Sequence, residues 1–322
     1  MSKKIQKIWN NYNFVVIFLG IFAAYLFINR SNTTWTTITN IFLHSAILGT
    51  VALGMGLVIL TGDIDLSVGS NFVLTGGLTI LLFNKTNSIF LTLVCALFLG
   101  GLFGLLNGFL VGRLRMPSFI VTLSTMLIYR SISQYMMNEM GQTRYSLDAT
   151  LSRYKPIFMF GNGNVLTISN LALVFFAVAI ALIYVTTSTK YGKRLYALGS
   201  NEKAANLAGI HVIYIRISAF LLCGVCVGLA TFLKIAKDTS FDPATSGKNY
   251  ELYSIAAVVI GGINMSGGKG KVVGIIFGAM SFTLIDKVIT ALGMNALLND
   301  TVKGVILLAA VGLQMLQRSN RD

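Results

Sequence analysis

Two aspartates, Asp63 and Asp65, are the residues whose type and spacing most clearly allow chemistry. They lie in the segment TGDIDLSVG at 61–69, with apolar residues on both sides, and are the only carboxylates between residues 1 and 138. A carboxylate inside an apolar stretch is costly unless it lies at an interface, lines a water-filled cavity or is paired. Either aspartate can serve a polar pathway or cap the helix expected to begin near Leu66, and the sequence leaves both roles open.

A second segment repeats this pattern. Residues 260–268 read IGGINMSGG, and both segments fit x-G-x-I-(D/N)-(L/M)-S-x-G between two apolar runs. Transporters often contain internal repeats whose interrupted helices form the binding site. The alignment places Asp65 opposite Asn264 and Asp63 opposite Gly262. It therefore predicts that Asp65→Ala impairs function, whereas Asp63→Gly preserves most of it.

Other patterns that could carry chemistry are weak. The glycine-rich stretch 262–271 does not fit the GxxxxGK[ST] pattern of a phosphate-binding loop, so the chain is not expected to hydrolyse ATP. His44 and His211 are far apart and have no ligand-like neighbours. Cys223 and Cys226 form a CxxC inside an apolar run and are expected to be packing residues. The sequence therefore predicts no catalytic site, no metal and no cofactor of its own.

The elements that must position these residues are long and apolar. Of the 322 residues, 55% are hydrophobic and 11% charged, and the mean hydropathy is +0.75. A soluble domain carries about 25% charged residues, so this chain has too little polar surface to cover itself in water. Apolar windows long enough to cross a bilayer recur along the chain. The sequence predicts an all-α, polytopic bundle of transmembrane helices that forms one domain over residues 1–322.

Basic residues in the connecting loops predict the orientation of this bundle. If the amino terminus is cytoplasmic, loops such as 113–115 and 190–203 lie inside, and the inside loops carry the larger share of lysine and arginine. This orientation requires about ten crossings, with 251–261 counted as a short, broken or re-entrant one, so both termini are expected in the cytoplasm. The net charge of +14 then belongs to these loops, and nucleic acid is not an expected partner.

Small residues predict how two of the helices pack. One apolar window carries glycines at small-xxx-small spacing, which lets a neighbouring helix approach closely in lipid. This is a packing signal and carries no information about substrate. The residues are Gly100, Gly101, Gly104, Gly108 and Gly112.

The loop at 190–210 has the composition of a short helix on the membrane surface. Ser200 or Asn201 can cap such a helix, the alanines that follow favour it, and Gly209 can end it. The pattern by itself fits an ordinary connector as well as a docking site for a partner protein.

Four segments resemble one family of membrane proteins. TGDIDLSVGS at 61–70 resembles the TGGIDLSVGS signature of the permease subunits of monosaccharide ABC importers, the ribose, xylose and galactose type. PSFIVTLSTM at 117–126 resembles their PxFIVTLGTM segment, 191–210 their cytoplasmic coupling segment, and 256–270 their AAVVLGGTSLSGGRG segment. The resemblances follow in order from about residue 40 to the carboxyl terminus.

This sequence departs from the family pattern at a few positions. Asp63 and Ser124 stand where glycine is common, and Ile263 and Asn264 stand where threonine and serine are common. These departures leave the family resemblance intact and leave the identity of the sugar open. Related permeases carry nucleosides or furanone-type signalling sugars, which are therefore alternatives.

The resemblance implies the translocation subunit of an importer in the bacterial cytoplasmic membrane. Two permease subunits, identical or paralogous, would form the pathway in the lipid bilayer. A cytoplasmic tandem ATPase would use ATP, and an extracytoplasmic binding protein would deliver a small sugar such as a pentose. The coupling helix that docks on the ATPase would carry Glu202, Ala204, Ala205, Ala208 and Gly209, and Ala205→Glu or Gly209→Val would then uncouple the two subunits without disturbing the fold.

A neutral sugar needs hydroxyl and amide partners with few charges. Polar residues near the two repeats could provide them, although polar residues in membrane helices also bond to one another. An ion-coupled secondary transporter is the competing class, and it would need carboxylates or histidines inside the membrane. Asp286 is a further such carboxylate, but Lys287 beside it is expected to neutralise it. The candidate pathway residues are Asp65, Asp63, Ser67, Asn71, Asn107, Thr122, Asn264 and Ser266.

Overall fold

A computed structural model of the chain describes residues 3–30, 33–295 and 298–319. These residues form helices joined by short loops, with four strands of two residues each. The helices are α1 (Lys3–Ile28), α2 (Trp35–Leu60), α3 (Val68–Thr86), α4 (Ile89–Gly112), α5 (Ser118–Glu139), α6 (Tyr154–Asn162), α7 (Asn170–Ser188), α8 (Lys190–Ser200), α9 (Glu202–Leu207), α10 (Val212–Asp238), α11 (Tyr250–Ile260), α12 (Val272–Ala291) and α13 (Asn299–Ser319). The strands are β1 (Tyr145–Ser146), β2 (Asn164–Val165), β3 (Ile168–Ser169) and β4 (Ser240–Phe241).

Length and composition make the long helices membrane spans. Within the described part of the chain, five helices are long and apolar enough to cross a bilayer, namely α2, α4, α7, α10 and α12. Shorter apolar stretches occupy Phe14–Ile28 in α1 and Tyr250–Ile260 in α11. The predicted all-α, polytopic membrane protein is therefore confirmed.

Helix α2 lies at the centre of the bundle. It begins at a capping box in which Thr34 accepts a hydrogen bond from the backbone of Thr37, and its residues from 49 to 60 are all buried. Helices α7, α10, α11 and α12 pack around it. A helix that is apolar on every side is stable in such a position, because it has no polar face to expose.

The glycine stripe of α4 packs against α10. A Cβ atom on Gly100 would lie 2.4 Å from the carbonyl oxygen of Gly224, and one on Gly104 would lie 2.4 Å from that of Phe220. The two backbones thus approach as closely as the small-residue pattern predicts. Cys223 and Cys226 lie on the same helix as buried free thiols, in agreement with the packing role expected for them.

The connecting segments divide between the two ends of the bundle. At one end, loops 61–67 and 261–271 meet the elbow at 199–202 between α8 and α9, and we call these three segments the junction. The far end carries α6, the antiparallel pair β1–β4 with Tyr145 opposite Phe241, and the hairpin β2–β3. Helix α3 begins at the junction and runs to the far end, because Asn84 near its C-terminus donates a hydrogen bond to the carbonyl of Ser146.

Candidate functional site

The two repeats have the same local structure where each interrupts a helix. Gly62 and Gly262 adopt left-handed backbone angles, with φ of 87° and 82°, which glycine adopts without strain. Their N–H groups donate to the carbonyl three residues earlier at 2.9 Å, and the next N–H groups, from Asp63 and Ile263, donate five residues back. This is the hydrogen-bond pattern of a glycine-ended helix.

After this cap, both repeats form the same turn. The Asp65 Oδ1 atom accepts from the Ser67 backbone N–H at 2.9 Å, and the Asn264 Oδ1 atom accepts from the Ser266 N–H at 2.9 Å. One residue fewer separates cap and turn in the second copy. The sequence alignment is therefore right at Asp65 and Asn264 but wrong at Asp63, because the structural counterpart of Gly262 is Gly62.

The two repeats touch each other and the elbow at the junction. The Gly268 N–H donates to the Leu60 carbonyl at 3.0 Å. The elbow packs closely against this bond, since a Cβ on Gly199 would lie 1.9 Å from the Leu60 oxygen and 2.5 Å from the Gly268 nitrogen. The Tyr196 hydroxyl donates to the Gly270 carbonyl at 2.9 Å. The end of α8 therefore packs against the end of α2 and against loop 261–271.

Arg216 on α10 joins the first repeat to the helix α9. Its Nε atom lies 2.7 Å from the Asp63 Oδ2 atom, and its Nη2 and Nη1 atoms lie 2.8 and 3.3 Å from the Glu202 carboxylate oxygens. The Arg216 and Asp63 side chains are only 14% and 12% exposed. The hydrogen bonds from Arg216 hold the pKa of Glu202 below its usual range, so Glu202 is ionised at neutral pH.

Sequence reasoning missed Arg216, and it ranked Asp65 above Asp63 on the basis of the repeat alignment. The premise of that ranking, the pairing of Asp63 with Gly262, is wrong, and we now expect Asp63→Gly to impair function as well. A signal was present in the sequence. Arg216 interrupts an otherwise apolar window, and an arginine in that position requires an anionic partner. Sequence alone does not identify the partner, which lies 153 residues away.

Most of the candidate pathway residues are buried, and their polar atoms form hydrogen bonds within the protein. Asp65, Ser67, Asn71, Asn107 and Thr122 are each at most 2% exposed. The Asn107 amide donates to the Ser67 hydroxyl at 2.8 Å, the Asn71 amide donates to the Gly100 carbonyl at 3.2 Å, and the Thr122 hydroxyl donates to the Ser118 carbonyl at 2.8 Å. The Asn71 bond joins α3 to α4, the Asn107 bond joins α4 to the residue that precedes α3, and the Thr122 bond lies within α5. Asp65 accepts from Ser67, the residue that precedes α3, in the turn just before that helix begins.

Asp65→Ala is expected to destabilise the protein. The Asp65 carboxylate accepts from both the backbone N–H and the hydroxyl of Ser67, and each buried group that loses its partner costs about 1–3 kcal/mol. Thermal unfolding of the detergent-solubilised protein measures the loss. Asp148→Ala is the matched control, because Asp148 makes the same pair of bonds to Thr150 in an exposed loop. Equal unfolding temperatures for the two variants would contradict this structural role of Asp65.

The segment 191–210 contains the expected short helix, α9. One of its residues, Ala205, does not lie on the surface as expected. Asn201 caps α9, its side chain accepting from the Ala204 N–H at 3.0 Å, and Gly209 ends it with a φ of 77°. Ala204, Ala208 and Gly209 are exposed, whereas Ala205 is 4% exposed and faces the protein's own interior. Ala205→Glu would therefore bury a carboxylate and Gly209→Val would strain the backbone, so we now expect both changes to disturb the fold.

At the far end, Asp286 has a different partner from the one expected. Its Oδ1 atom lies 2.7 Å from the Nζ atom of Lys303 on α13, not beside Lys287. The Lys303 ammonium also lies 4.4 Å from the centre of the Tyr253 ring, a cation–π distance. The ion pair thus joins α12 to α13, and Lys287 remains available to other groups.

Comparison with known proteins places the chain among permeases. Residues 37–311 match the family described as branched-chain amino acid transport system / permease component. The ribose import permease protein RbsC of Escherichia coli K12 is 35% identical over 279 residues, 86% of this chain and 85% of that protein. RbsC of Bacillus subtilis strain 168 is 32% identical over 297 residues, 91% and 90% of the two chains.

A third relative is named for a different cargo. The autoinducer 2 import system permease protein LsrC of E. coli O9:H4 strain HS is 34% identical over 285 residues, 88% of this chain and 81% of that protein. No solved structure matches the chain. With its apolar helices, the chain is a multi-pass protein of the bacterial inner membrane. The chain therefore belongs to the family of ABC-importer permease subunits that includes the ribose and autoinducer 2 import permeases.

Proposed function

We propose that this chain, as one domain over residues 1–322, is the permease subunit that moves a small sugar inward through the membrane. The observation that supports it best is the junction. An exposed short helix, α9, is braced by Arg216 against loop 61–67, and the end of α8 just before it packs against Gly268 of loop 261–271 through Gly199 and Ser200. A partner that pulls on α9 would shift both interrupted helices together. The ribose import relatives favour a pentose, and a furanone-type signalling sugar or a nucleoside is the alternative cargo.

The proposed assembly has four kinds of component. Two permease subunits form the pathway, a cytoplasmic tandem ATPase docks on α9, and an extracytoplasmic binding protein delivers the sugar to the far end. The far end is then outside and both termini are inside. The ten proposed crossings are α1, α2, α3, α4, α5, α7, α10, α11, α12 and α13, with α11 as a half-span that ends at Gly261.

The geometry gives less support to an ion-coupled secondary transporter. Such a protein needs an intramembrane carboxylate whose charge can change during transport. Asp63 is paired with Arg216, Asp286 with Lys303, and Asp65 is buried in hydrogen bonds to Ser67. These carboxylates are engaged in structural contacts.

Leu207→Glu is expected to release the ATPase and to stop uptake, without unfolding the permease. Leu207 is 90% exposed on α9. It can therefore pack against a partner, and replacing it does not disturb the hydrophobic core of the permease. A charge placed inside a packed contact costs about 1–3 kcal/mol, which weakens an interface about 5- to 100-fold. Co-purification of the ATPase and sugar uptake in vesicles are the measurements.

The chain provides a matched control for this experiment. Leu166 is 91% exposed in the far-end hairpin, so Leu166→Glu makes the same chemical change away from the ATPase. We expect it to retain full co-purification. If both variants retain the ATPase and normal uptake, α9 is only a connector and the ATPase docks elsewhere.

We expect no ATPase activity from the purified chain by itself. The glycine-rich loop 261–271 is packed against the elbow through Gly268 and Leu60 and does not fit the phosphate-binding pattern. Phosphate release by the chain in vesicles should equal that of empty vesicles. Release that follows the chain through two different chromatographic separations would contradict this expectation.

A further inference from the structure

A cavity of about 550 Å³ opens at the far end between α1, α2, α11, α12 and α13. Its wall carries one acidic side chain, Asp286, and three basic ones, His44, Lys287 and Lys303, together with the ring of Tyr253. Ligand pockets for small molecules have volumes of about 300–1,000 Å³. A cavity of this size holds a monosaccharide with a few water molecules.

One part of this wall is formed by side chains that already have partners within the protein. Lys303 is 8% exposed and pairs with Asp286, and its ammonium lies over the Tyr253 ring. The Tyr253 hydroxyl in turn donates to Asp300. This connected set fixes the positions of α11, α12 and α13 relative to one another, so that side of the cavity is held in place before any ligand arrives.

The other part of the wall carries His44 and Lys287. In the described part of the chain, neither His44 nor Lys287 has a hydrogen-bond or ion-pair partner, although both line the cavity. They lie on helices that cross the membrane, where an ionisable side chain normally faces a partner or a polar passage. An imidazole and an ammonium that are held open in this way are suited to bind hydroxyl or carbonyl groups of a ligand.

The charges around the cavity favour a neutral ligand. Asp286 and Asp300 balance Lys287 and Lys303, so a phosphorylated sugar or another anion would meet no excess of positive charge. We propose that this cavity is a binding station for the cargo in the outer half of the membrane, and that it holds a neutral monosaccharide through Lys287 and His44. The proposal rests on the function proposed above and assigns that function's substrate contact to residues outside the two repeats.

Protection of an introduced cysteine tests the station directly. Thr290 lines the cavity and is exposed, so Thr290→Cys provides a probe in a Cys95→Ser background, where the remaining Cys223 and Cys226 are buried. The full-length protein in lipid nanodiscs is treated with N-ethylmaleimide, with and without D-ribose, D-xylose or D-galactose. We expect at least one of these sugars to slow the modification of the Thr290→Cys thiol several-fold, whereas glycine betaine at equal osmolality leaves it unchanged.

Two controls separate binding from other effects. Thr86→Cys lies exposed at the far end of α3, outside the cavity, and its modification should not respond to sugar. Adding Lys287→Gln or His44→Gln to the Thr290→Cys protein should remove the protection. A thiol at position 290 that never reacts in the nanodisc, or protection that survives both added changes, would overturn the proposal.

Uptake in cells that express the complete importer gives the second readout. Lys287→Gln should lower uptake at sub-saturating sugar about tenfold, because the loss of one hydrogen bond from a charged group weakens binding by about that factor. Lys85→Gln, which removes an exposed positive charge at the far end of α3, should not lower it. Normal uptake by wild-type cells without any protection of the thiol contradicts the station alone. No ATP-dependent uptake of the three sugars by wild-type cells contradicts the proposed function instead.

Discussion

Arg216→Met is expected to abolish uptake and to destabilise the junction. Arg216 holds Asp63 at 2.7 Å and Glu202 at 2.8 Å, so its loss leaves Asp63 charged, nearly buried and without its cation. Removing one partner of a buried ion pair costs about 3–5 kcal/mol. The change also disconnects α9 from the first repeat. Sugar uptake in vesicles and thermal unfolding of the purified protein are the measurements.

Three further variants show which of these two effects dominates. Lys234→Met removes a basic residue from the same helix, but one whose pair with Asp238 is at the surface, and such pairs contribute about 0–1 kcal/mol. It should behave like the wild type. Arg216→Lys keeps the charge but cannot hold both carboxylates in the same geometry, so partial uptake is expected.

The double variant Asp63→Leu with Arg216→Met removes both charges at once. Replacing a buried ion pair by apolar groups is often neutral for stability, so folding should recover while coupling does not. If the double variant regains uptake as well as stability, the Arg216 bridge is only structural. If Arg216→Met retains normal uptake, the bridge has no role in transport.

Gly199→Ala adds one methyl group to the elbow, and we expect it to disrupt the junction more than a methyl group added at any other elbow position. The added Cβ would lie 1.9 Å from the Leu60 carbonyl oxygen and 2.5 Å from the Gly268 nitrogen, and both are backbone atoms that cannot rotate away. The hydrogen bond between Gly268 and Leu60 would also break. Overpacking of this kind costs about 1–3 kcal/mol or more, which exceeds the gain of about 1 kcal/mol from replacing a helical glycine.

The matched control is a glycine in open surroundings. Gly20 in α1 has nothing within 4 Å of the position of an added Cβ, so Gly20→Ala should be neutral or slightly stabilising. Both variants are compared by thermal unfolding and by uptake, with protein amounts equalised. Equal behaviour of the two would mean that α8 and the repeats are not in contact at the elbow.

Several features of this protein follow from the sequence alone, because they depend on local composition. An apolar chain with few charges requires lipid-facing helices, and the glycine spacing on one of them requires a close neighbour, which is α10. The cap and end of α9, at Asn201 and Gly209, follow from residue preferences within a few positions. The four family segments are also local, and they were sufficient to identify the family.

The partners of the charges could only be decided by the tertiary structure. Asp63 pairs with Arg216, and Asp286 pairs with Lys303 instead of its neighbour Lys287. The sequence shows that each such charge needs a partner, since an unpaired one in the membrane is costly. It does not show which partner, because helix packing brings together residues that are far apart in the chain.

The burial of single residues was decided in the same way. Ala205 and Ala208 are identical in type and lie on one short helix, yet only Ala205 faces the interior. Polar residues in and near the repeats suggested a pathway by composition. In the folded protein Asn71 and Asn107 bond to neighbouring elements and Asp65 bonds to Ser67, whereas His44 and Lys287 are open to the cavity. Composition determines that polar groups are present, whereas the contacts made by neighbouring helices determine which of them remain free to bind a ligand.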